Sequence, residues 1–351
     1  MHKHDQINRT RKSSAFTCGC VSALAILASV IAYQLHNREP QLLARSRPIA
    51  VHVDTKSQCY WLSLHTLLLL NPQKSGYSAS TYDVIGRVPT QMPSLERLLS
   101  GADVNSPPIL SPNGNWLLTQ QSVNGWFIPV AVSVDGSQRE LWPNDDPSRL
   151  HPRIPDQLPM WLRDNRHWLE FKTTNGLVQT LMVRHGIGER DKDLGKWYRP
   201  DEVFGQDRKG RLLAYRMAVG SQVKHSLLSY DPANGALTGE TVLPIDFDSS
   251  LSQISLSPGG DRVALVSVTG GDPMFPNWLT NIIPSIRKSR KPYKLALWVC
   301  GTDGKGLHEL GCSAENVHPF WPGNLLGLKW LPDGKSISFT YKNRLWITPV
   351  D

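Results

Sequence analysis

The chain has 351 residues and a formal net charge of +8, with 40% apolar and 19% charged residues. This composition can form a hydrophobic core, and it excludes disorder over most of the length. Glycine (27), proline (26) and tryptophan (12) are frequent, which favours many short strands over long helices.

The positive charge is concentrated at the N-terminus. Residues 1–47 contain seven Lys or Arg and two Asp or Glu, whereas the rest of the chain contains 31 and 28. The larger part is therefore nearly balanced in charge. This balance argues against a nucleic-acid binder, and no nucleic-acid partner is expected.

An uncharged stretch follows a basic tail at the start of the chain. Residues 15–33 carry no charge, and as a helix they would span about 28 Å, close to the thickness of the bilayer core. We predict a single-pass transmembrane helix here; the alternative is a signal peptide cleaved near the small residues Val30 and Ala32. The basic tail, residues 1–14, predicts a cytoplasmic N-terminus with the bulk of the protein periplasmic or extracellular. Residues 34–47 are then a linker.

Two elements are predicted outside the main pattern. Residues 48–54 alternate apolar and polar side chains, as a half-buried strand does. A short helix is expected over Ser94 to Leu99, with Ser94 as its N-terminal cap and Gly101 as its stop.

A turn followed by an alternating strand recurs along the chain. In the last copy, Pro332 fits the first turn position, Asp333 can cap the turn amides and Gly334 suits the left-handed position. Tryptophan or leucine commonly precedes the turn, and the intervals between copies are 49, 51, 45, 50 and 74 residues. The copies are WLSLHTLLLLNP (61–72), LSPNGNWLLTQQ (110–121), WLRDNRHWLEF (161–171), QDRKGRLLAYRM (206–217), LSPGGDRVALVSV (256–268) and WLPDGKSISF (330–339).

Four short strands in 45–50 residues is the spacing of a β-propeller blade. Through WLPDGKSISF, LSPGGDRVAL and LSPNGNWLL, residues 48–351 resemble the TolB-like, WD-repeat-like β-propeller family. The resemblance implies an all-β, six-bladed β-propeller. Because the last blade stops after its third strand, the 48–54 strand is expected to close it. The alternative is a pair of β-sandwiches joined by a linker.

Two cysteines suggest a disulfide. Cys300 and Cys312 end consecutive strand-like runs, so neighbouring antiparallel strands could bring them within bonding distance. Two buried thiols are the alternative.

Motifs for catalysis are absent from the sequence. It contains no GxSxG elbow, HExxH pair, Walker loop or EF-hand loop, and its histidines lack ligand spacing. No catalytic residue, metal or cofactor is predicted. Some propellers similar to this one are polysaccharide lyases with metal-held histidines, so an axial site formed by distant residues stays open.

An insertion at 270–294 interrupts the fifth repeat between its second and third strands. It joins an apolar part to a basic part, which suits anionic headgroups or an acidic partner. The alternative is a loop that packs over one mouth of the propeller with solvated basic residues. The candidate docking residues are Trp278, Ile282, Ile286, Arg287, Lys288, Arg290 and Lys291.

The sequence thus predicts a non-enzymatic, membrane-anchored propeller that binds or scaffolds an unknown protein partner outside the cytoplasm. The alternative is a carbohydrate-active propeller, lyase-like or hydrolytic, acting on envelope polysaccharide. Clustered His, Asp, Glu and Arg in the axial channel would favour the enzyme, and an apolar or mixed channel would favour the binding module.

Overall fold

The computed structural model describes residues 42–54, 56–123, 126–141, 160–173, 179–187, 192–198, 202–219, 223–245, 253–269, 277–282, 294–312 and 325–351. The predicted transmembrane segment, residues 15–33, lies outside these ranges. No helix within them is both long enough and apolar enough to cross a membrane.

The chain divides into two compact units. One comprises residues 41–269 and 293–351 and contains all the described strands. The other comprises residues 1–40 and 270–292, and its described part is one short helix, α3 (Asn277–Ile282).

The described strands form six four-stranded antiparallel sheets. Sheet 1 contains β2 (Gln58–Trp61), β3 (Thr66–Gln73), β4 (Gly76–Asp83) and β5 (Val88–Gln91). Sheet 2 contains β6 (Ile109–Leu110), β7 (Trp116–Val123), β8 (Trp126–Ser133) and β9 (Arg139–Leu141). Sheet 3 contains β10 (Met160–Trp161), β11 (His167–Thr173), β12 (Gln179–Gly186) and β13 (Lys192–Tyr198).

The remaining sheets follow the same order. Sheet 4 contains β14 (Glu202–Gln206), β15 (Leu212–Val219), β16 (Val223–Tyr230) and β17 (Leu237–Leu243). Sheet 5 contains β18 (Gln253–Leu256), β19 (Arg262–Thr269), β20 (Lys294–Gly301) and β21 (His308–Cys312). Sheet 6 contains β22 (Leu325–Trp330), β23 (Ser336–Tyr341), β24 (Arg344–Pro349) and β1 (Arg47–His52). Five sheets thus use four consecutive strands, and sheet 6 combines the two ends of the described chain.

The turn chemistry read from the repeats is present in the structure. Gly114, Gly260 and Gly334 have φ of +77°, +68° and +65°, a region that side chains disfavour. The Asp333 carboxylate accepts a hydrogen bond from the Lys335 amide at 2.9 Å, which fixes the last turn. Each of these turns joins the first strand of a sheet to its second strand.

The predicted closing strand is confirmed. β1 pairs antiparallel with β24, with Pro48 opposite Trp346 and Ile49 opposite Leu345. The Val53 amide also donates to the Asn343 carbonyl at 3.0 Å. Sheet 6 therefore gains its fourth strand from the other end of the sequence, as in a propeller closed by strand exchange.

The hydrophobic core is divided among the junctions between sheets. One buried cluster lies between sheets 1 and 2, and others lie between sheets 2 and 3, 3 and 4, 4 and 5, 5 and 6, and 6 and 1. Each sheet covers its two faces with its neighbours, so the all-β propeller expected from the sequence is confirmed.

The helix between β5 and β6 starts differently from the prediction. It is α2 (Pro93–Leu98), and a further short helix, α1 (Leu42–Arg45), precedes β1. Met92, without a side-chain hydrogen bond, is the N-cap of α2. The predicted Ser94 cap is wrong because Pro93 starts the helix with its preset φ, in a position where its missing N–H is not needed.

The predicted disulfide is also wrong. Cys300 and Cys312 are buried on the neighbouring strands β20 and β21, but Cys312 lies opposite Ala296 in the pairing register. The four residues from Ala296 to Cys300 span about 13 Å along a strand, whereas a disulfide needs Cα atoms within about 7 Å. The two thiols are not joined, and burial raises the pKa of Cys300 to about 12.

Candidate functional site

A cavity of about 410 Å³ lies where the first strands of the six sheets meet. Its wall consists of these strands and the turns that follow them. The lining residues are Tyr60, Trp61, Leu62, Ile109, Leu110, Pro112, Asn113, Gly114, Met160, Trp161, Arg163, Phe204, Gly205, Gln206, Ile254, Ser255, Leu256, Ser257, Pro258, Leu328, Lys329, Trp330 and Pro332. We call this space the axial cavity, because every sheet contributes to it.

Tryptophan side chains connect three junctions around the axial cavity. Indole N–H groups donate from Trp61 to the Ser338 hydroxyl (2.8 Å), from Trp161 to the Ile109 carbonyl (2.9 Å) and from Trp330 to the Ser255 carbonyl (3.0 Å). These bonds join sheet 1 to sheet 6, sheet 3 to sheet 2 and sheet 6 to sheet 5. The tryptophan before the repeated turn therefore hydrogen-bonds one sheet to the next in addition to packing in the core.

The other three junctions are bonded by different groups. The Tyr60 hydroxyl donates to the Pro108 carbonyl between sheets 1 and 2. The Arg163 amide donates to the Gln206 side-chain oxygen at 3.0 Å between sheets 3 and 4. The Arg208 amide donates to the Gly260 carbonyl at 3.1 Å between sheets 4 and 5. All six junctions are thus hydrogen-bonded close to the axis, and the wall of the axial cavity is continuous.

Lys329 is the cation within the wall. The β22–β23 pairing shifts register between Leu326 and Lys329, and Gly327 has a φ of +66° at this bulge. A bulge re-aims the side chains that follow it. The Lys329 ammonium lies 5.2 Å from the centroid of the Tyr60 ring.

Burial determines the electrostatics around Lys329. Loss of water lowers the pKa of the Lys329 ammonium below its usual value, and the nearby Cys59 thiol opposes this in part. Burial raises the pKa of Cys59 to about 12 and also raises that of Tyr60. Neither neighbour on β2 is therefore an anion at neutral pH, and among the described residues none forms an ion pair with Lys329.

Arg163 supplies a second cation at the rim. Its guanidinium donates through Nη1 to the Pro258 carbonyl at 3.1 Å. The side chain thereby reaches from the turn of sheet 3 past sheet 4 to the turn of sheet 5. A guanidinium has five N–H donors, so this bond leaves donors for another acceptor. Within the part of the chain that the structure describes, the lining includes these two cations and no Asp, Glu or His.

Most other polar groups of the lining are already engaged. The Gln206 side chain accepts from the Arg163 amide and donates to the Gly210 carbonyl at 2.6 Å. The Asn113 side-chain oxygen accepts from the Asn115 amide at 3.1 Å. The Ser257 hydroxyl accepts from the Arg262 amide at 3.0 Å. These groups fix the turns, and few remain for a bound molecule.

Comparisons of the whole chain give similarity in fold only. No protein-family model matches the chain, and no curated protein matches it significantly. The chain is similar to the crystal structure of TolB from Acinetobacter baumannii, with 13% identity, a TM-score of 0.47, and coverage of 93% of this chain and 68% of that one. It is also similar to a protein described as TolB from Agrobacterium tumefaciens, with 13% identity, a TM-score of 0.48, and coverage of 88% and 99%. An oligogalacturonate lyase from Vibrio parahaemolyticus is similar with 9% identity, a TM-score of 0.47, and coverage of 87% of this chain and 92% of that one. At these identities the site must be interpreted from this chain's own residues.

The sites predicted from sequence lie elsewhere or outside the described residues. Cys300 and Cys312 do not line the axial cavity. Trp278 and Ile282 lie on α3, 46% and 63% exposed. The other docking candidates, residues 286–291, are outside the described ranges.

Lys329 and Arg163 were missed by the sequence interpretation. A signal existed, because each is a charged residue within two positions of the tryptophan of a repeat, in LKWLPDG and WLRDN. Among the described residues no three His, Cys, Asp or Glu side chains are grouped as a metal site would need.

Proposed function

We propose that this protein is a binding module that recognises a protein partner through the axial cavity. The carrying observation is the composition of the wall, in which the described aromatic and aliphatic side chains surround two cations and include no carboxylate or imidazole. Apolar surface with a few fixed polar groups is typical of a ligand site. General acid–base catalysis needs groups poised to exchange protons, commonly His, Asp or Glu, and the described lining offers only Lys329 and Tyr60, whose pKa burial raises.

The finer architecture belongs to the same proposal. Each sheet is interpreted as one blade, which gives a six-bladed propeller over residues 48–351. Residues 15–33 are proposed as a membrane anchor that follows a cytoplasmic tail and leaves the propeller periplasmic or extracellular. An anchor would hold the axial cavity near a bilayer and raise its effective concentration toward membrane-bound partners.

The insertion is proposed as a second contact with that bilayer. Trp278 and Ile282 are four residues apart on α3 and expose their apolar side chains. The basic residues that follow, 287–291, would pair with anionic headgroups. Deletion of residues 275–291 should reduce binding of the anchor-free domain to anionic liposomes while the strands stay folded. Unchanged liposome binding would contradict this contact.

Affinity capture with a cavity-filling variant tests the main proposal. The full chain, solubilised from membranes, should capture one defined partner, and Ser255→Trp should abolish capture by filling the cavity. Val88→Trp is the matched control, because Val88 lies exposed on the outer strand β5. Capture that survives Ser255→Trp would place the partner elsewhere on the protein.

The alternative function is action on an acidic envelope polysaccharide. The specific observation in its favour is the same pair of cations beside aromatic rings, since Lys329 and Arg163 could pair with uronate carboxylates. Incubation with oligouronates, followed by measurement of new reducing ends, distinguishes the two functions. If the wild type cleaves oligouronates and Lys329→Met does not, the protein is a carbohydrate-active enzyme and the binding-module proposal is wrong.

A further inference from the structure

We propose that Lys329 is the point at which the axial cavity binds a carboxylate, so that the segment a partner inserts there is acidic and otherwise apolar. This inference rests on the proposed function, because it states the chemistry by which the same cavity recognises its partner.

The charge of Lys329 is uncompensated among the described residues. Its ammonium faces the ring of Tyr60 at 5.2 Å, and the described residues provide no carboxylate for it. The titratable groups around it are Cys59 and Tyr60 on β2 and Arg163 at the rim, while β18 presents Gln253 and Ser255. A cation partly removed from water is stabilised when an anion reaches it.

Hydrogen bonds hold the strand that carries Lys329 in place. Its neighbours in β22 are hydrogen-bonded to sheet 5, because the Leu328 amide donates to Gln253 at 2.9 Å and the Trp330 indole donates to Ser255. The carbonyl of Lys329 itself accepts from the Ser338 hydroxyl at 3.3 Å. The backbone that carries the ammonium is therefore held before any ligand arrives, which reduces the ordering cost of binding.

Arg163 offers a second group of hydrogen-bond donors at the rim of the axial cavity. One of its nitrogens is bonded to the Pro258 carbonyl, and a planar guanidinium can bind a carboxylate with its remaining donors. A ligand that carries two acidic groups separated by apolar surface would satisfy both cations.

The same geometry favours a peptide over a sugar. A sugar presents many hydroxyls, and each needs a partner when water is removed. The side chains of Gln206, Asn113 and Ser257 are already bonded within the turns. A peptide that contributes carboxylates and apolar side chains requires fewer new hydrogen bonds from this wall.

The test compares an acid with its isosteric amide. Binding of indole-3-acetate and indole-3-acetamide to the full chain would be measured by ligand-detected NMR. We expect the acid to bind about tenfold more tightly or better, the factor typical of a hydrogen bond to a charged group. Lys329→Met should abolish this preference, Lys329→Arg should retain it, and Lys224→Met, at an exposed position on β16, should leave it unchanged.

Three results would overturn the assignment of Lys329. They are absence of acid binding by the wild-type chain, equal binding of acid and amide, and a preference that persists in Lys329→Met. The amide serves as the folding control, because its binding should survive the loss of the charge.

Competition against indole-3-acetate identifies the ligand class. The tripeptide Glu-Leu-Glu, which carries two acidic groups around an apolar side chain, should displace it, and Gln-Leu-Gln should not. Displacement by trigalacturonate but not by Glu-Leu-Glu would overturn the acidic peptide. These measurements are separate from partner capture: a lost acid preference with intact capture refutes only this inference, and failed capture with an intact acid preference refutes only the proposed function.

Discussion

The ammonium of Lys329 and the aromatic ring of Tyr60 face each other at 5.2 Å across the junction between sheet 6 and sheet 1. This junction joins the last repeat to the first, because β22 belongs to the last repeat and β2 to the first. The cation that we assign to ligand binding thus depends on closure of the propeller.

Lys329→Met should stabilise the protein near neutral pH. The folded-state pKa of Lys329 is lowered by burial, whereas a lysine in the unfolded chain titrates near about 10.4. Below the folded pKa both states are protonated, so the cost of burying the charge is fully present. Between the two values only the unfolded state keeps the proton, and the stability of the wild type rises with pH.

The stability advantage of Lys329→Met should therefore shrink as the pH rises and vanish above about 10.5. Urea unfolding at several pH values measures it. Lys224→Met, at an exposed lysine on β16, is the matched control. An advantage of Lys329→Met that is independent of pH would contradict the burial of the charge.

Trp161→Phe should destabilise the protein by about 1 kcal/mol, because it removes the indole hydrogen bond to the partly buried Ile109 carbonyl. The change also alters the edge-to-face contact with Trp168, whose ring centroid lies 5.3 Å away. Trp278→Phe, at an exposed position on α3, should change the free energy of unfolding by less than about 0.5 kcal/mol. Equal changes in the free energy of unfolding for the two substitutions would contradict a stabilising hydrogen bond from Trp161 between sheets 3 and 2.

Two adjacent positions test the closing strand. Val51 is 5% exposed and packs in the cluster between sheets 6 and 1, whereas Ala50 points to the other face and is exposed. Val51→Asp should lower the free energy of unfolding by about 3 kcal/mol or more, and Ala50→Asp should lower it by about 0.5 kcal/mol or less. Chemical denaturation measures both, and a small effect at Val51 would mean that β1 does not close the propeller in solution.

Cys300 and Cys312 should be recovered as thiols. In unfolded protein prepared without reductant, peptide mapping after alkylation should find both residues modified. In the folded protein, alkylation of Cys300 at pH 8 should be slow, because burial raises its pKa to about 12 and little thiolate is present. A peptide pair linked through these two cysteines would contradict the strand register.

The sequence predicts the repeating part of this fold because local rules determine it. Positive φ at Gly114, Gly260 and Gly334 follows from the turn chemistry, and the alternation in residues 48–54 identifies the closing strand. The position of the insertion predicted at 270–294 also follows from the interrupted interval, since β19 ends at Thr269 and β20 starts at Lys294.

The axial cavity could not be predicted in the same way. The aim of Lys329 depends on a bulge at Gly327, and its neighbour Tyr60 is more than 260 residues earlier in the chain. The wrongly predicted disulfide has a similar cause, because the strands of Cys300 and Cys312 are neighbours as expected but the register that separates the two residues depends on the whole sheet.

A direct NMR titration of the Lys329 side chain, assigned with the Lys329→Arg variant, tests whether this ammonium receives a carboxylate. Linkage requires that an anion bound at Lys329 raises the pKa of its ammonium, to the same degree that protonation strengthens binding of the anion. We predict a higher Lys329 pKa in saturating indole-3-acetate than in the free protein, with no change in indole-3-acetamide. An identical pKa with and without the acid would contradict the account.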